Sequence, residues 1–299
     1  MHGPLVSILM PAFNNASTIS AALLSTVNQS YRTLEIVIID DGSTDQTEAA
    51  VFSFNDPRII YEKIDKNIGI AGALNRGLKL ARGDIIARMD ADDMMRPQRI
   101  SDQVTFMLER GVSILGGAAE KFGMQTGLMV PPETGADIIN GFLINNPFIH
   151  PTIMVNRRGL PEDFLYNEAF ECEEDYEIWS RLITERNCNN IGYPLIKYRV
   201  SSVSNQDRIG KRALTGIALR QFCARFNVHD APIECLVNVQ LSKMIRHEDY
   251  LSLRDYAERV QKTDKPKLGW LQQSLCKSRS YRSFMNWYHR RTGQSKYQV

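Results

Sequence analysis

The sequence lacks most of the features that mark a secreted, membrane-spanning or nucleic-acid-binding protein. Its five cysteines are odd in number and show no C-x-x-C spacing, which argues against a disulfide framework or a structural zinc site. No run approaches the roughly 20 apolar residues of a membrane span, and the N-terminal run from Leu5 to Met10 is too short for a signal peptide. The formal net charge is only +2, so we expect no nucleic-acid partner. These observations favour a cytoplasmic protein, soluble or peripheral.

Strand and helix patterns alternate in the first half of the chain. The 299 residues are 43% apolar and 23% charged, which is typical of one large globular domain or one domain with an extension. The β-branched runs fall at residues 6–10, 35–39, 58–61 and 84–89. Such a βαβ series predicts an α/β fold with a mostly parallel central sheet and helices on both faces. Helical patterns take over after about residue 205, so we predict a domain of residues 1–205 and a helical C-terminal extension of residues 206–299.

Acidic residues follow two of the predicted strands. Asp40 and Asp41 end the second run, and the segment Asp90 to Asp93 comes directly after the run Ile85 to Met89. The carboxyl ends of parallel strands meet at one edge of a sheet, where open α/β folds bind their ligands. Closely spaced carboxylates are best tolerated when a cation or hydrogen-bond donors neutralise them. The alternative is a charged turn before the helix that Pro97 opens.

The two common glycine-rich phosphate-binding motifs are missing. A Rossmann fold needs a glycine-rich turn after the first strand and a P-loop needs Gly-Lys-Ser or Gly-Lys-Thr, and the chain has neither. The first strand instead runs into Pro11-Ala12-Phe13-Asn14, where an aromatic ring and backbone groups could hold a flat base. Asp41 could accept the imide hydrogen of uracil or thymine. The sequence therefore indicates a nucleotide site of another kind.

Six segments, in this order, resemble the inverting glycosyltransferases of family 2, which have the nucleotide-sugar-binding GT-A fold. The resemblance covers about residues 5–205. Each segment alone is a weak signal, and their order makes the resemblance specific. The segments are Val6 to Asn14, Glu35 to Asp45, Asn67 to Gly77, Asp90 to Asp93, Glu173 to Trp179, and Tyr198-Arg199.

The resemblance implies a role for individual residues on the donor side. Asp90 would bind the ribose, and Asp92 would hold Mn²⁺ or Mg²⁺ between the two phosphates of the nucleotide. Such hard cations suit carboxylate and phosphate oxygens and usually need only one or two protein carboxylates. The complete set of residues implied in nucleotide binding is Pro11, Ala12, Phe13, Asn14, Asp41, Asn75, Asp90 and Ala91.

The second acidic cluster resembles the site of the family's general base. Asp175 would remove the proton from an acceptor hydroxyl as it attacks the anomeric carbon, with Glu174 as the second candidate. Residues 173–175 could also be the acidic first turn of a helix that continues through Trp179, because acidic side chains stabilise helix N-termini. Trp179 is interpreted as a core residue from its apolar neighbours at helical spacing. The nearby His150 is interpreted as a structural histidine, with a place near the acceptor as the alternative.

The chain departs from the family's pattern at two positions. Many relatives have an arginine where this chain has Leu74, so one positive charge that could hold the diphosphate is missing. Lys66, Arg76 or Arg88 could compensate. Many relatives also have a histidine where this chain has Ser201, and its absence implies weaker metal binding or coordination completed by water.

The C-terminal segment concentrates basic and aromatic residues. Residues 262–299 contain nine Lys or Arg against a single Asp, with aromatic side chains interleaved. Together with apolar residues at helical spacing, this resembles a basic amphipathic segment that lies on an anionic membrane. A helix that covers the core with its basic face in solvent is the alternative, and nucleic-acid binding is the third.

The sequence thus predicts a metal-dependent, inverting transferase that moves a sugar from a nucleotide-sugar donor, with a UDP-sugar favoured, to a glycan or lipid-linked acceptor. The expected setting is assembly of a bacterial surface polysaccharide (O-antigen, capsule or exopolysaccharide), with a peripheral contact at the cytoplasmic face of the inner membrane. Two other classes remain open. One is a nucleotide-sugar-binding protein without catalysis, and the other is a nucleotidyltransferase, which usually opens with a glycine-rich basic loop.

Overall fold

A computed structural model describes most of the chain up to residue 226. The described residues are 3–143, 145–162, 164–170, 172–201 and 208–226, with 233, 234, 236, 237 and 252. They divide into two compact units, one from residues 1–138 and 147–205 and the other from residues 139–146 and 206–299. The basic aromatic segment 262–299 lies outside the described residues, so its predicted role stays a prediction, as does the predicted domain boundary.

Nine strands are formed by the described residues, and the first four follow the predicted βαβ spacing. The β-branched and apolar residues of the strands Val6–Ala12, Leu34–Asp40 and Ile85–Arg88 are all buried or nearly so, which is typical of strands covered on both faces. The strands are β1 Val6–Ala12, β2 Leu34–Asp40, β3 Ile59–Lys63, β4 Ile85–Arg88, β5 Met94–Met95, β6 Ile114–Gly123, β7 Gly127–Met129, β8 Met154–Asn156 and β9 Cys188–Val200.

Seven α-helices are formed by the described residues, together with two single-turn 3-10 helices at His150–Thr152 and Arg157–Gly159. The third helix lies where the sequence predicts one, and its last turn ends just before Gly83. The α-helices are α1 Ile19–Val27, α2 Thr47–Phe52, α3 Gly69–Leu80, α4 Arg99–Arg110, α5 Gly135–Phe142, α6 Glu174–Leu182 and α7 Arg208–Arg225.

The sheet has the strand order β3-β2-β1-β4-β8-β6-β9-β5, and β7 pairs with β6. The first four strands of this order are parallel, as the βαβ series predicts. Beyond β4 the sheet becomes mixed, because β8 runs antiparallel to both β4 and β6 and β5 runs antiparallel to β9. The pair β6 and β9 is parallel again. The parallel half therefore carries the strand ends at which the predicted ligand residues lie.

Helices cover both faces of the parallel half because strand side chains alternate in direction. The even-numbered residues of β1, such as Ile8 and Met10, belong to a buried cluster with residues of α1, α2 and α4. Leu9 faces the other side and meets α3 at Gly77, where an added Cβ would overlap the Leu9 side chain. The absent side chain at position 77 lets α3 approach the sheet closely.

The second unit is described only in part. Helix α7 lies in the region after residue 205 for which the sequence predicts helices. Within this unit the Phe222 ring stacks on Phe142 with centroids 4.4 Å apart and lies 4.5 Å from Phe226. Aromatic burial of this kind contributes strongly to a small core. Among the described helices, none combines the length and the apolar character needed to cross a bilayer.

Candidate active site

The loops after β1 and β2 are tied together, and the predicted base-binding residues lie on them. Asn14 donates its backbone N–H to Ser43 Oγ at 2.8 Å, and its side-chain oxygen accepts from the backbone N–H of Thr44 at 2.9 Å. Asn14 has a left-handed backbone with φ 53°, which asparagine tolerates better than most residues. The Phe13 ring beside it is 47% exposed. The pair of loops is therefore fixed, with an aromatic ring open to a planar ligand.

Asp41 fixes the start of α3 relative to β1. Its backbone N–H donates to Ala12 O at 2.8 Å, next to Pro11 at the end of the strand. Its two carboxylate oxygens accept the backbone N–H groups of Ile68 at 2.8 Å and Gly69 at 3.0 Å. Burial raises the pKa of Asp41. Each oxygen keeps a second lone pair, so the predicted contact with a base stays compatible with these bonds.

Three carboxylates crowd the turn after β4. One oxygen from each of Asp90, Asp92 and Asp93 lies within 4.8 Å of the other two. Burial, followed by the charge of Asp90, raises the pKa of Asp92, and the same causes raise the pKa of Asp93 to about 8. Ala91 between them is buried. The cluster is held together although its members repel one another, which is the condition under which a cation binds well.

The available oxygen atoms of the cluster fit a hard divalent cation. Both oxygens of Asp90 bond the Arg88 guanidinium, and Asp93 Oδ1 accepts the backbone N–H of Arg199 at 2.7 Å. Asp93 Oδ2 is buried without a hydrogen-bond partner. Buried carboxylate oxygens of this kind are normally satisfied. Asp92, with Asp93 Oδ2 beside it, is therefore the part of the cluster suited to Mn²⁺ or Mg²⁺.

Arg199 holds this turn from β9. Its Nε donates to the backbone carbonyl of Asp92 at 2.9 Å. Its guanidinium lies over the Phe122 ring at 4.5 Å from the centroid, which is within the range of a cation–π contact. The Tyr-Arg segment singled out in the sequence is thus brought to the carboxylate cluster from a strand about a hundred residues later in the chain.

The second acidic pair lies in the first turn of α6, as the helix interpretation predicts, and the assignment of a general base to it stays a prediction. Asp175 is half-buried, and its Oδ1 accepts the backbone N–H of Tyr176 at 2.7 Å. Glu174 is buried, and burial followed by the charge of Asp175 raises its pKa to about 8. The raised pKa of Glu174 favours its protonated form, which separates the possible roles of the two adjacent carboxyls.

His150 is a buried, hydrogen-bonded histidine close to Glu174. Its Nε2 lies 2.9 Å from Tyr166 Oη, and its Nδ1 lies 3.6 Å from Glu174 Oε1. Burial, followed by the charge of Arg88, lowers its pKa well below the usual value. A neutral, satisfied ring agrees with the structural interpretation of this residue. Trp179 packs on Phe148 with centroids 5.4 Å apart and is buried, so the prediction of a core role is confirmed.

Asn75 holds the segment that carries Tyr166. Its Nδ2 donates to Tyr166 O and Glu168 Oε1, both at 2.9 Å, and its Oδ1 accepts the Tyr166 backbone N–H at 2.9 Å. The side chain is buried. Its predicted contact with the nucleotide stays a prediction, and the contacts in the structure give it a role in fixing residues 164–170.

The candidates for replacing the missing arginine at position 74 have different surroundings. Leu74 is fully buried. Arg76 pairs with Glu62 at 2.6 Å, and Arg88 is buried against Asp90. Lys66 is exposed, so it is the one of the three candidates that could reach a diphosphate without breaking an ion pair.

Sequence reasoning did not assign roles to Asp93, Arg199 or Tyr166. It named Arg88 only as a possible diphosphate contact. The signal for Arg88 was its position two residues before Asp90, because residues two apart on a strand share a face. No local signal could have placed Tyr166, because its contact with His150 depends on the path of the segment between them.

The fold and this site define a class of protein, the GT-A nucleotide-sugar-dependent transferases. The chain belongs to glycosyl transferase family 2, whose profile matches residues 7–164. The family suggested by the six segments is therefore confirmed.

A curated relative and two solved structures illustrate the similarity. The chain is 34% identical over 208 residues to the Escherichia coli UDP-Glc:alpha-D-GlcNAc-diphosphoundecaprenol beta-1,3-glucosyltransferase WfgD, covering 68% of this chain and 80% of the relative. It shares its fold with S. aureus TarS 1-349 in complex with UDP-GlcNAc, with a TM-score of 0.65 and a sequence identity of 18%. The match covers 99% of this chain and 93% of the TarS chain. The fold is also similar to that of the Pyrobaculum calidifontis mannosyltransferase PcManGT in complex with GDP-Man and Mn²⁺. The TM-score is 0.56 and the sequence identity 18%, and the match covers 95% of this chain and 83% of PcManGT.

Proposed function

We propose that this family 2 glycosyltransferase is metal-dependent and inverting, and that it moves a sugar from a UDP-sugar to a hydroxyl of a glycan or lipid-linked acceptor. The proposed setting is bacterial surface polysaccharide assembly, at the cytoplasmic face of the inner membrane. The observation that carries the proposal is that two clusters of carboxylates lie around the buried guanidinium of Arg88. The cluster of Asp90, Asp92 and Asp93 and the pair Glu174 and Asp175 both lie in that neighbourhood, since Arg88 interacts electrostatically with Asp90 and Glu174.

The named relatives support the choice of donor and acceptor. The name of WfgD specifies a UDP-glucose donor and a diphosphoundecaprenol-linked acceptor. TarS was crystallised with UDP-GlcNAc, and PcManGT with GDP-Man and Mn²⁺. The donor of WfgD and the nucleotide-sugar bound to TarS both carry UDP, so we favour UDP for this chain.

The residues on the donor side bind and orient the nucleotide in this proposal. Phe13 stacks on the base, Asp41 accepts its imide hydrogen, and Asp90 accepts a ribose hydroxyl. Asp92, with Asp93 Oδ2 beside it, holds Mn²⁺ or Mg²⁺. When bound, such a cation offsets the negative charge that develops on the departing diphosphate.

The acceptor side supplies the base. Asp175 accepts the proton of the acceptor hydroxyl while the hydroxyl oxygen bonds to the anomeric carbon. The bond from that carbon to the diphosphate oxygen breaks, its electron pair leaves with the nucleoside diphosphate, and in-line attack inverts the configuration. A positioned carboxylate base contributes roughly 10²- to 10⁴-fold to such a step. Glu174 keeps its proton near neutral pH because its pKa is about 8, so Asp175 is the base.

Asp92→Asn tests the proposal at the donor site. We expect the affinity for UDP in the presence of Mn²⁺ to fall by about 100-fold, because loss of even an outer-shell partner of a metal costs about 10- to 100-fold in affinity. Affinity without metal should be unchanged. Calorimetric titration of UDP with and without Mn²⁺ measures both values. Asp65→Asn, at an exposed acidic residue, is the matched control. Equal Mn²⁺-dependent affinity in wild type and Asp92→Asn would remove the metal from Asp92.

A further inference from the structure

Arg88 is a buried cation at the last position of β4. Its side chain is 6% exposed. Its backbone N–H donates to Ile153 O at 2.8 Å, and its carbonyl accepts from Arg99 Nη2 at 2.7 Å. A buried guanidinium is costly unless its partners satisfy it. The identity of those partners therefore indicates what the residue is for.

The Arg88 guanidinium binds both carboxylate oxygens of Asp90. Nη1 donates to Asp90 Oδ2 at 2.6 Å, and Nη2 lies 2.5 Å from Oδ1. Two parallel charge-assisted bonds fix the direction of a carboxylate as well as its position. Asp90 is the residue proposed to bind the ribose, and the second lone pair of each oxygen remains open to a hydroxyl donor.

A comparison with Arg99 separates this arrangement from an ordinary structural arginine. Arg99 is also buried, and each of its three nitrogens bonds a protein group, namely Gln103 Oε1, Met89 Sδ and Arg88 O. Arg88 places two nitrogens on Asp90 and leaves Nε buried without a partner. An unsatisfied buried donor costs free energy, so core packing alone does not explain where this side chain lies.

Arg88 is also the counter-charge of the cluster. Among the described residues, it is the one cation whose side chain bonds a carboxylate of the Asp90, Asp92 and Asp93 cluster. Arg199 reaches the same turn through its backbone N–H and the carbonyl of Asp92.

We propose that Arg88 is a positioning residue for the donor site. It fixes the direction in which Asp90 presents its oxygens to the ribose, and it occupies Asp90 so that Asp92 remains the carboxylate available to the divalent cation. This inference rests on the proposed function, because it concerns the site at which the nucleotide would bind. It also excludes Arg88 as a replacement for the diphosphate-binding arginine missing at position 74.

A double-mutant cycle tests the inference. The full-length variants are Arg88→Gln, Asp90→Asn and the combination, and the measurements are the dissociation constant for UDP with Mn²⁺ and the Michaelis constants for a UDP-sugar. We expect Arg88→Gln to weaken UDP binding by about 10²-fold, because misplacing a binding group by about an ångström has effects of that size. The double variant should be no weaker than Asp90→Asn by more than about 3-fold, since Arg88 acts through Asp90. The loss should appear in KM more than in kcat.

Two further variants keep the result interpretable. Arg88→Lys retains the charge and the aliphatic stem, should recover part of the lost affinity, and decides the outcome if Arg88→Gln does not fold. Arg157→Lys removes a guanidinium that donates to the backbone carbonyls of Ala81 and Leu78, and it should lower the unfolding temperature without raising the dissociation constant for UDP.

Three results would overturn the inference. They are unchanged UDP affinity in the folded Arg88 variants, losses that add in the double variant, or an equal loss of affinity in Arg157→Lys. Absence of nucleotide binding by the wild-type protein would instead remove the proposed function and the inference together, so the two failures are distinguishable.

Discussion

Glu174 and Asp175 are neighbours in the chain but differ in burial, and this difference gives them different chemistry. Glu174 is buried beside His150 and has a pKa raised to about 8, first by burial and then by the charge of Asp175. Asp175 is half-buried and begins α6. A carboxyl that keeps its proton cannot accept one, so the half-buried Asp175 is the better candidate for the base.

Substitutions by the corresponding amides test this assignment. Glu174→Gln imitates the protonated carboxyl in size and polarity, so we expect kcat at pH 7 to stay within about 5-fold of wild type. Asp175→Asn removes the proton acceptor and should lower kcat by roughly 10²- to 10⁴-fold with little change in the affinity for UDP. Initial rates of nucleoside diphosphate release, with UDP titrations as the binding control, measure both. A larger loss in Glu174→Gln than in Asp175→Asn would reverse the two roles.

At the same scale, the sequence predicted the acidic residues of the site better than their partners. Asp90 and Asp92 were identifiable because carboxylates after a buried strand stand at a ligand-binding edge. The bidentate contact of Arg88 and the buried oxygen of Asp93 depend on side-chain directions in the turn, which no spacing rule provides. The Asn75 side chain bonds both the backbone carbonyl and the backbone N–H of Tyr166. These contacts could not be predicted because Tyr166 lies about ninety residues away in the chain.

At the scale of elements, the approach of α3 to the sheet sets the position of the Asp41 loop. The Asp41 carboxylate accepts hydrogen bonds from the backbone N–H groups of Ile68 and Gly69 at the start of α3. Further along the helix, Gly77 packs against the Leu9 side chain of β1. Moving this helix away from the strands would therefore disturb the loop on which the base is proposed to bind.

Gly77→Ala should destabilise the protein by about 1–3 kcal/mol, because the added methyl group overlaps Leu9 and forces the packing to shift. Gly216→Ala is a matched control within a helix, where the new Cβ would make ordinary contacts at 3.5 Å or more. It should be neutral or stabilising by up to about 1 kcal/mol. Urea unfolding of both variants, with unchanged slopes, measures the effect. Equal stability of the two variants would mean that α3 has room to move.

The parallel half of the sheet was predictable and the mixed half was not. Alternating strand and helix patterns give the direction of β1 to β4, because a helical crossover returns the chain to the same edge. Strands β5 and β8 have only two and three residues, too few for a hydrophobic period to appear. The pairing of β6 with β9 joins segments about seventy residues apart, and its register is set by packing in the folded state.

At the scale of the whole molecule, the basic aromatic segment 262–299 is predicted from its sequence to bind an anionic membrane, where the proposed lipid-linked acceptor would lie. Nine Lys or Arg against a single Asp would attract an anionic surface at about 1 kcal/mol per cation close to it. A chain truncated after Lys262 should therefore bind anionic liposomes more weakly than the full chain. Co-sedimentation at low and high salt should show that the difference shrinks as salt screens the charges. Equal binding by both chains would favour the packing alternative.

The most important property proposed for the site is that it binds a nucleoside diphosphate through a divalent cation. The most direct test is thermal unfolding of the full chain with UDP, dTDP, GDP or CDP, each with and without Mn²⁺. A ligand at 100 times its Kd adds roughly 2.7 kcal/mol to the stability of the folded state. We expect UDP to raise the unfolding temperature only when Mn²⁺ is present. The rise with dTDP, GDP or CDP should be smaller than the rise with UDP. Unchanged unfolding with every nucleotide, or a UDP shift that is the same without metal, would contradict it.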